Sequence, residues 1–383
     1  MIRGPAAGNL MDLAVFRERR EGERRVALTP DHLGPLGKLG FSFRIEAGAG
    51  RLAGWPDEAY VQAGGRIAAS RNELLDGASV GVRIRPPQSH ELDGVPRGFL
   101  LISFLSPADP DPVPLLAERG IDGMALERTP RTTRAQRMDA LSSQSTAAGY
   151  RGALLAAQAL PRFLPMLTTA AGTIKPARVL VLGAGVAGLQ AIATARRLGA
   201  RVDAYDIRPA AAEQVRSLGA GFIEAPLPEE AEVEGGYARA LSGTEEERQH
   251  ALLSEHIPRA DAVITTAQIP GRPAPLLITR AMVEAMAPGS VVVDLAADSG
   301  GNCELSQPGQ ATRHGEVTIL APEHPAKDLP QDASSMLGRN IVALLEHLVS
   351  DGELTLSTDD DIIHAMLVVK NGEIRFPASR GDA

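Results

Sequence analysis

Residues 178–208 contain the feature that most constrains what this chain can fold into. Residues 179–182 form a short apolar run, which is typical of a strand buried on both faces. The glycines of a G-x-G-x-x-G pattern follow at once: Gly183, Gly185 and Gly188. A helical segment and a second strand come next, and Asp206 ends that strand about twenty residues after the glycines. This order predicts a β-α-β unit with parallel strands, as in an α/β fold.

Each part of this motif has a physical role in binding a dinucleotide. Gly183 allows a tight turn, Gly185 lets the backbone approach a pyrophosphate, and Gly188 lets helix and strand pack closely. The helix N-terminus offers unpaired N–H groups to the phosphates. Asp206 can accept hydrogen bonds from both ribose hydroxyls and would repel a 2′-phosphate, which favours NAD over NADP. Arg208 works against that preference, and a tight turn in an enzyme without a cofactor is the alternative interpretation.

The bulk properties exclude several classes of function. The formal net charge is −8 and the pI is near 5.6, which argues against nucleic acid or anionic membrane surfaces as direct partners. Cys303 is the single cysteine, so neither a disulfide framework nor a thiolate metal cluster is expected. The histidines show no ligand spacing, so no metal site is predicted. No apolar run approaches the ~18 residues that a membrane span needs.

The rest of the chain also alternates between strand and helix patterns. Before residue 142 this alternation predicts a parallel α/β domain that precedes the nucleotide-binding fold. A polar segment at residues 131–146 leads into an alanine-rich stretch at residues 142–160, which predicts a long helix.

Further motifs lie at residues 24–30, 46–50, 131–150, 179–208, 265–267, 270–275 and 294–302. Through these motifs the chain resembles the NAD(H)-binding, membrane-extrinsic domain I of proton-translocating nicotinamide nucleotide transhydrogenase, as its alpha or alpha-1 subunit. The resemblance covers almost the whole sequence. Residues 134–143, with the pattern R-A-Q-x-M-D-A-L-S-S, are the most specific, because alanine dehydrogenases share the fold and several other motifs but lack this loop.

The resemblance implies an α/β fold of two Rossmann-like parallel-sheet domains. The first domain is discontinuous, residues 1–141 plus 330–383, and the NAD-binding Rossmann domain, residues 142–329, is inserted into it. NAD(H) is expected at the carboxyl ends of the Rossmann strands.

In the family, the loop at residues 131–142 grips the nicotinamide end of NAD(H). The matching residues are Arg131, Gln136, Asp139 and Ser142. Three of them offer donors and acceptors that can fix a carboxamide, whereas Gln136 can bridge toward a second nucleotide on a partner domain. Hydride transfer moves no proton, so no general acid or base is expected, and Gln136 with Asp139 are predicted as the catalytic residues. The alternative is a polar linker between domains.

The other cofactor contacts are carried over position by position. Besides the three glycines, the positions that match the pyrophosphate and ribose contacts are Ala184, Val186, Asp206, Ile207 and Arg208. Positions that match further nucleotide contacts are Gly236, Gln249, Ala267 and Gln268. Gln268 departs from the apolar residue expected after Thr-Thr-Ala, and Gln249 could instead be an exposed helix residue.

The resemblance also implies partners. NADP(H) is expected on a separate domain III subunit and not on this chain, and a membrane-spanning domain II subunit is expected to couple hydride transfer to proton movement. The chain is expected to be a homodimer and to have no nucleic-acid partner. Its expected location is cytoplasmic, peripheral on the inner face of the cytoplasmic membrane through those subunits.

Two other functions stay open. An alanine dehydrogenase needs a lysine and a histidine in its first domain, but Arg83 and Ser106 stand at those positions. Asp298 favours that enzyme, because its position carries a catalytic aspartate in the dehydrogenases and glutamate is expected in the transhydrogenases. A non-catalytic module that binds or senses NAD is the second alternative.

Overall fold

A computed structural model describes residues 11–105, 111–224, 243–269 and 272–376, together with the backbone of residues 232–233 and 237–238. The chain forms two compact units. One consists of the residues up to 144 and those from 327 onward, and the other consists of residues 145–326. The α/β class with Rossmann-like units is confirmed. The sequence-based boundaries were 141/142 and 329/330.

The strands are numbered along the chain. Up to residue 144 they are β1 (Met11–Val15), β2 (Phe41–Glu46), β3 (Arg66–Ala68), β4 (Ala78–Val82), β5 (Leu100–Ser103) and β6 (Asp122–Ala125). In residues 145–326 they are β7 (Leu167–Thr169), β8 (Gly172–Ile174), β9 (Arg178–Leu182), β10 (Arg201–Tyr205), β11 (Gly221–Ile223), β12 (Glu232–Val233), β13 (Tyr237–Ala238), β14 (Ala262–Thr265), β15 (Val291–Asp294), β16 (Ala311–His314) and β17 (Val317–Leu320). From residue 327 onward they are β18 (Val349–Ser350), β19 (Glu353–Leu354), β20 (Leu367–Lys370) and β21 (Glu373–Ile374).

The helices are numbered in the same way. They are α1 (Pro30–Gly37), α2 (Asp57–Gln62), α3 (Arg71–Leu75), α4 (Pro112–Arg119), α5 (Ala140–Ala159), α6 (Val186–Arg197), α7 (Ala211–Ser217), α8 (Gly243–His256), α9 (Arg280–Glu284), α10 (Pro330–Leu348) and α11 (Asp361–Met366). Among the described residues, no helix combines the length and the apolar composition needed to cross a membrane.

The discontinuous unit is built on a sheet with the strand order β21-β20-β6-β5-β4-β1-β2-β3. Strands β1 to β6 pair in parallel. Strand β20 pairs antiparallel with β6, and β21 pairs antiparallel with β20. The sheet is therefore mainly parallel, as expected for this fold class, and the returning C-terminal segment adds two antiparallel strands at one edge.

The second unit is built on a sheet with the order β11-β10-β9-β14-β15-β17-β16. It is parallel except for the antiparallel pair β16–β17 at one edge. Strand β9 has β10 on one side and β14 on the other, so the strand order reverses there. In open α/β sheets, ligands bind beyond the carboxyl end of the strands at such a point. The turn after β9 occupies this position.

Burial explains why β9 is apolar on both faces. Val179 and Val181 pack into one hydrophobic core of the second unit, whereas Leu180 and Leu182 pack into another. Because successive side chains of a strand point to opposite faces, the sheet is covered on both sides. The four buried positions of this strand, residues 179–182, are therefore all apolar.

Candidate functional site

The turn after β9 requires glycine at Gly183. This residue has a φ of +94°, in the left-handed region that favours glycine. A Cβ added there would lie 2.7 Å from Oγ1 of Thr266, a residue of the segment after β14. The backbone N–H of Gly183 donates to the carbonyl of Tyr205 at 2.8 Å, which holds the turn beside the end of β10.

Gly188 and Gly185 differ in how much space surrounds them. A Cβ on Gly188 would collide with the carbonyl oxygen of Gly183, so this glycine serves the packing of α6 on the turn. Gly185 is the N-cap of α6, with extended backbone at φ −74° and ψ −169°. Apart from Gly185 itself and its two chain neighbours, no heavy atom of the described structure lies within 4 Å of the Cβ that Gly185 lacks. The space in front of Gly185 is therefore open to a ligand, and no side chain caps the helix there.

Asp206 lies beside this turn, directly after β10. Its carboxylate is 8% exposed and accepts hydrogen bonds from the backbone N–H groups of Ala184, at 2.7 Å, and Arg208, at 2.9 Å. The Arg208 guanidinium also donates to it, through Nε and Nη2 at 2.9 Å each. The structure thus places Asp206 at the expected end of the strand, already engaged by Arg208.

The segment after β14 forms the other side of the turn. The Asn302 side chain holds both backbone groups of Ala267: it donates to the carbonyl at 2.9 Å and accepts from the N–H at 3.1 Å. Gln268 is exposed, and its amide lies 3.4 Å from the carbonyl of Leu295. The Ala267 backbone is therefore occupied within the protein, whereas the Gln268 side chain is exposed.

A buried carboxylate that sequence reasoning missed organises the next loop. Asp294 is fully buried at the end of β15 and accepts from Thr265 Oγ1 at 2.9 Å and Ser306 Oγ at 2.7 Å. The backbone N–H groups of Asn302 and Cys303 donate to it at 2.8 and 3.0 Å. The sequence signal for this carboxylate was an aspartate at the end of an apolar strand, because a buried carboxylate needs hydrogen-bond partners. Asp294 thereby positions Asn302.

The remaining predicted contacts of this unit differ in accessibility. Gln249 is 5% exposed and donates to the Tyr205 hydroxyl at 2.9 Å, so the alternative of an exposed helix residue is wrong. Burial raises the pKa of Tyr205 to about 12. Val186 is 40% exposed at the start of α6, and Ile207 packs partly against a core. Gly236 lies outside the described residues.

The loop that leads into α5 belongs to the discontinuous unit. Asp139 accepts from the backbone N–H of Ser142 at 2.9 Å and from its hydroxyl at 2.5 Å, so it caps the helix. Ala135 and Met138 are buried in the core, whereas the Gln136 side chain is exposed and makes no hydrogen bond to a described residue. The structure thus brings Asp139 and Ser142 together and presents the Gln136 amide outward.

Arg131, the fourth predicted residue of this loop, is exposed. Its side chain is not without a partner in this structure. The loop is anchored in the core by Ala135 and Met138, and the side chains of the two residues between them, 136 and 137, are exposed.

Arg83 and Ser106 stand at the positions where an alanine dehydrogenase needs a lysine and a histidine. Arg83 is 2% exposed, and its Nη2 lies 2.8 Å from the Glu91 carboxylate and 3.9 Å from that of Glu18. Burial raises the pKa of Glu18, an effect that Arg83 opposes. Two carboxylates of the protein therefore already compensate Arg83. Ser106 lies outside the described residues.

Asp298 is paired within the second unit. Its Oδ2 accepts from the backbone N–H of His324 at 2.8 Å and lies 2.9 Å from His324 Nδ1. His324 adopts a φ of +43°, which is uncommon for a residue other than glycine. Among the described residues, no group of three His, Cys, Asp or Glu side chains could hold a metal ion.

Two family models match the chain. The model described as "Alanine dehydrogenase/PNT, N-terminal domain" matches residues 14–148. The model described as "Alanine dehydrogenase/PNT, C-terminal domain" matches residues 152–377. Together they span both units, including the C-terminal segment that returns to the first one.

Curated relatives agree. The chain is 44% identical over 374 residues to the NAD(P) transhydrogenase subunit alpha of Cereibacter sphaeroides, covering 96% of this chain and 71% of that protein. A second relative is the first part of the NAD(P) transhydrogenase subunit alpha of Rhodospirillum rubrum. The chain is 42% identical to it over 382 residues, covering 97% of this chain and 99% of that protein.

Two solved structures match almost the whole chain, and the transhydrogenase is the more similar of the two. The transhydrogenase from Sinorhizobium meliloti matches with a TM-score of 0.85 and 42% identity over 95% of this chain and 99% of that one. An L-alanine dehydrogenase matches with a TM-score of 0.79 and 26% identity over 96% and 98%. The chain therefore belongs to the alanine dehydrogenase/PNT family, and within it to the NAD(P) transhydrogenase alpha subunits, which are oxidoreductases.

Proposed function

We propose that this chain binds NAD(H) and passes hydride between it and NADP(H) held on a separate domain III subunit. The observation that carries the proposal is the turn after β9. Gly183 and Gly188 are explained by contacts inside the protein, whereas the Cβ position of Gly185 faces open space at the start of α6. A pyrophosphate approaching the helix N-terminus supplies the missing reason for that glycine.

The discontinuous unit supplies the polar groups proposed for the nicotinamide end. Asp139 and Ser142 already hold each other, so their positions are set before a ligand arrives. With Arg131 they offer the donors and acceptors that a carboxamide requires. Bound NADH supplies the hydride, so the chain has to orient a ring and no general acid or base is needed.

Gln136 is the residue proposed to act toward the second nucleotide. Its side-chain amide is exposed and makes no hydrogen bond to a described residue. A free amide can donate and accept at once, which suits a contact with a nucleotide carried by another subunit.

We further propose a homodimer that works with an NADP-binding domain III subunit and a membrane-spanning domain II subunit. The relatives are named as subunits, which supports a complex. In this arrangement the chain is cytoplasmic and peripheral on the inner face of the cytoplasmic membrane, and the membrane subunit couples hydride transfer to proton translocation.

The test measures hydride transfer from NADH with and without an NADP⁺-loaded domain III subunit of a relative. Transfer is expected only when that subunit is present. Gln136→Ala should slow transfer about tenfold or more, because loose positioning of the rings is costly, while NADH binding stays nearly unchanged. Gln62→Ala is the matched control, because it removes an exposed amide at the end of α2. Equal slowing by both variants would contradict the role of Gln136.

One observation favours a second candidate, an alanine dehydrogenase-like enzyme. Asp298 stands where those dehydrogenases carry a catalytic aspartate, and it is paired with His324. Against it, Glu91 and Glu18 compensate Arg83. Oxidation of NADH by pyruvate and ammonium without any partner subunit would establish this candidate. NADH binding with neither reaction would favour a non-catalytic module.

A further inference from the structure

The hydrogen-bond capacity of Asp206 is fully used in this structure. A carboxylate offers about four acceptor directions, two on each oxygen. Oδ1 accepts from the backbone N–H and the Nε of Arg208. Oδ2 accepts from the backbone N–H of Ala184 and from Nη2 of Arg208. The ribose hydroxyls of a dinucleotide would therefore find no free acceptor on Asp206.

The four donors differ in how readily they can leave. The Ala184 and Arg208 N–H groups belong to the backbone of the glycine turn and of the segment after β10, so they cannot move without moving those segments. The Arg208 guanidinium is held by a rotatable side chain that is 18% exposed. Rotation of this side chain frees one acceptor direction on each oxygen, and two ribose hydroxyls need two acceptors.

We infer that Arg208 is a specificity-determining residue that competes with the adenosine ribose for the Asp206 carboxylate. The inference rests on the proposed NAD(H) binding. Breaking the Arg208–Asp206 pair opposes NAD(H) binding, so the arginine weakens affinity for the unphosphorylated ribose.

The same displacement has the opposite effect on a 2′-phosphorylated nucleotide. A guanidinium that has left Asp206 can pair with a phosphate, and arginine suits planar, bidentate recognition of phosphate. Arg208 therefore reduces the discrimination that Asp206 alone would exert. Sequence pattern cannot show this, because an aspartate and an arginine two residues apart need not contact each other.

The experiment uses the full chain and a matched pair of probes. NADH affinity is measured by nicotinamide fluorescence, and NADH is displaced with 5′-AMP or adenosine 2′,5′-bisphosphate, which differ only in the 2′-phosphate. In Arg208→Met, NADH and 5′-AMP should bind about threefold more tightly or better, as expected for loss of a competing ion pair. Adenosine 2′,5′-bisphosphate should bind about tenfold more weakly, because it loses a charge-assisted contact.

Two further variants separate this effect from general charge and from misfolding. Arg201→Met removes a positive charge at the opposite end of β10, where the arginine is exposed, and should change the binding of neither probe. Arg208→Lys keeps the charge but cannot form the bidentate fork, so NADH should bind more tightly while part of the bisphosphate affinity remains. Circular dichroism and cooperative thermal unfolding should show that every variant is folded at the titration temperature, although the Arg208 variants lose an ion pair to a buried carboxylate.

The outcomes distinguish the inference from the proposed function. Weaker NADH binding in both Arg208 variants, with unchanged folding, would overturn the inference, because the arginine would then contact the nucleotide favourably. A parallel change for both probes would overturn it as well. If the unmodified chain fails to bind NADH, the proposed function falls and this inference falls with it.

Discussion

Gly183, Gly185 and Gly188 show how one residue type can meet three different requirements. Gly183 needs a positive φ, and Gly188 needs to approach a carbonyl oxygen. Gly185 has backbone angles that any residue adopts and faces open space. The first two requirements concern folding, whereas the third concerns a ligand. The three sites can therefore be separated by substitution.

We expect Gly185→Ala to leave stability unchanged and to weaken NADH binding, because its Cβ meets no protein atom but enters the space proposed for the pyrophosphate. Gly188→Ala is the opposite case. Its Cβ would collide with the Gly183 carbonyl, so the free energy of unfolding should fall by about 1–3 kcal/mol. Urea unfolding and NADH titration of both variants check this. Unimpaired NADH binding by Gly185→Ala would contradict the proposed phosphate position.

At the scale of elements, α5 begins in the loop that is proposed to hold the nicotinamide. Asp139 accepts from the Ser142 backbone N–H, one of the donors left unpaired at a helix start. The residue predicted for catalysis is therefore also a helix cap. Loss of activity on its substitution would have two causes, and only stability measurements separate them.

We expect Asp139→Ala to lower the free energy of unfolding by about 1 kcal/mol, the typical cost of losing a capping side chain. Asp139→Asn keeps an oxygen acceptor and should cost less than half of that. Urea unfolding followed by circular dichroism measures both. If the asparagine variant keeps stability but loses hydride transfer, the carboxylate acts on the nucleotide; equal destabilisation by both variants would contradict the capping role.

The sheets show where element prediction succeeded and where it failed. The run at residues 179–182 and the motif after it are local patterns, and the parallel β9 and the helix α6 follow from them. The pairing of β20 (Leu367–Lys370) with β6 (Asp122–Ala125) was not predicted, because the two strands lie far apart in sequence. Strand orientation depends on which segments meet, and a local pattern does not contain that information.

At the scale of the whole molecule, each unit has its own hydrophobic cores and its own natural reporter. Trp55, the single tryptophan, packs against a core of the discontinuous unit. Cys303, the single cysteine, is 3% exposed in a core of the second unit. Burial raises the pKa of the Cys303 thiol to about 11, so little thiolate is present at neutral pH.

We therefore expect Cys303 to react with a thiol reagent at neutral pH only when the second unit opens. Saturating NADH should slow this labelling, because a ligand that binds the folded state at a hundred times its Kd adds about 2.7 kcal/mol of stability. Labelling rates with and without NADH are compared with Trp55 fluorescence during urea unfolding. Rapid labelling in the native state would contradict the burial of Cys303, and unchanged labelling with NADH would argue against a site in this unit.

The sequence by itself determined the local architecture of the nucleotide motif. Glycine at a left-handed position, an apolar strand and a helix start are read from neighbouring residues, because backbone conformation and periodicity are local properties. The same holds for the position of Asp206 at a strand end.

Only the tertiary structure decided what those residues contact. It showed that Gln249 is buried against Tyr205, that Asn302 holds Ala267, and that Arg208 occupies Asp206. Burial and hydrogen-bond partners depend on what packs nearby, and most of these partners lie far away along the chain. A residue type limits which contacts a side chain can make, whereas the tertiary packing determines which of them form.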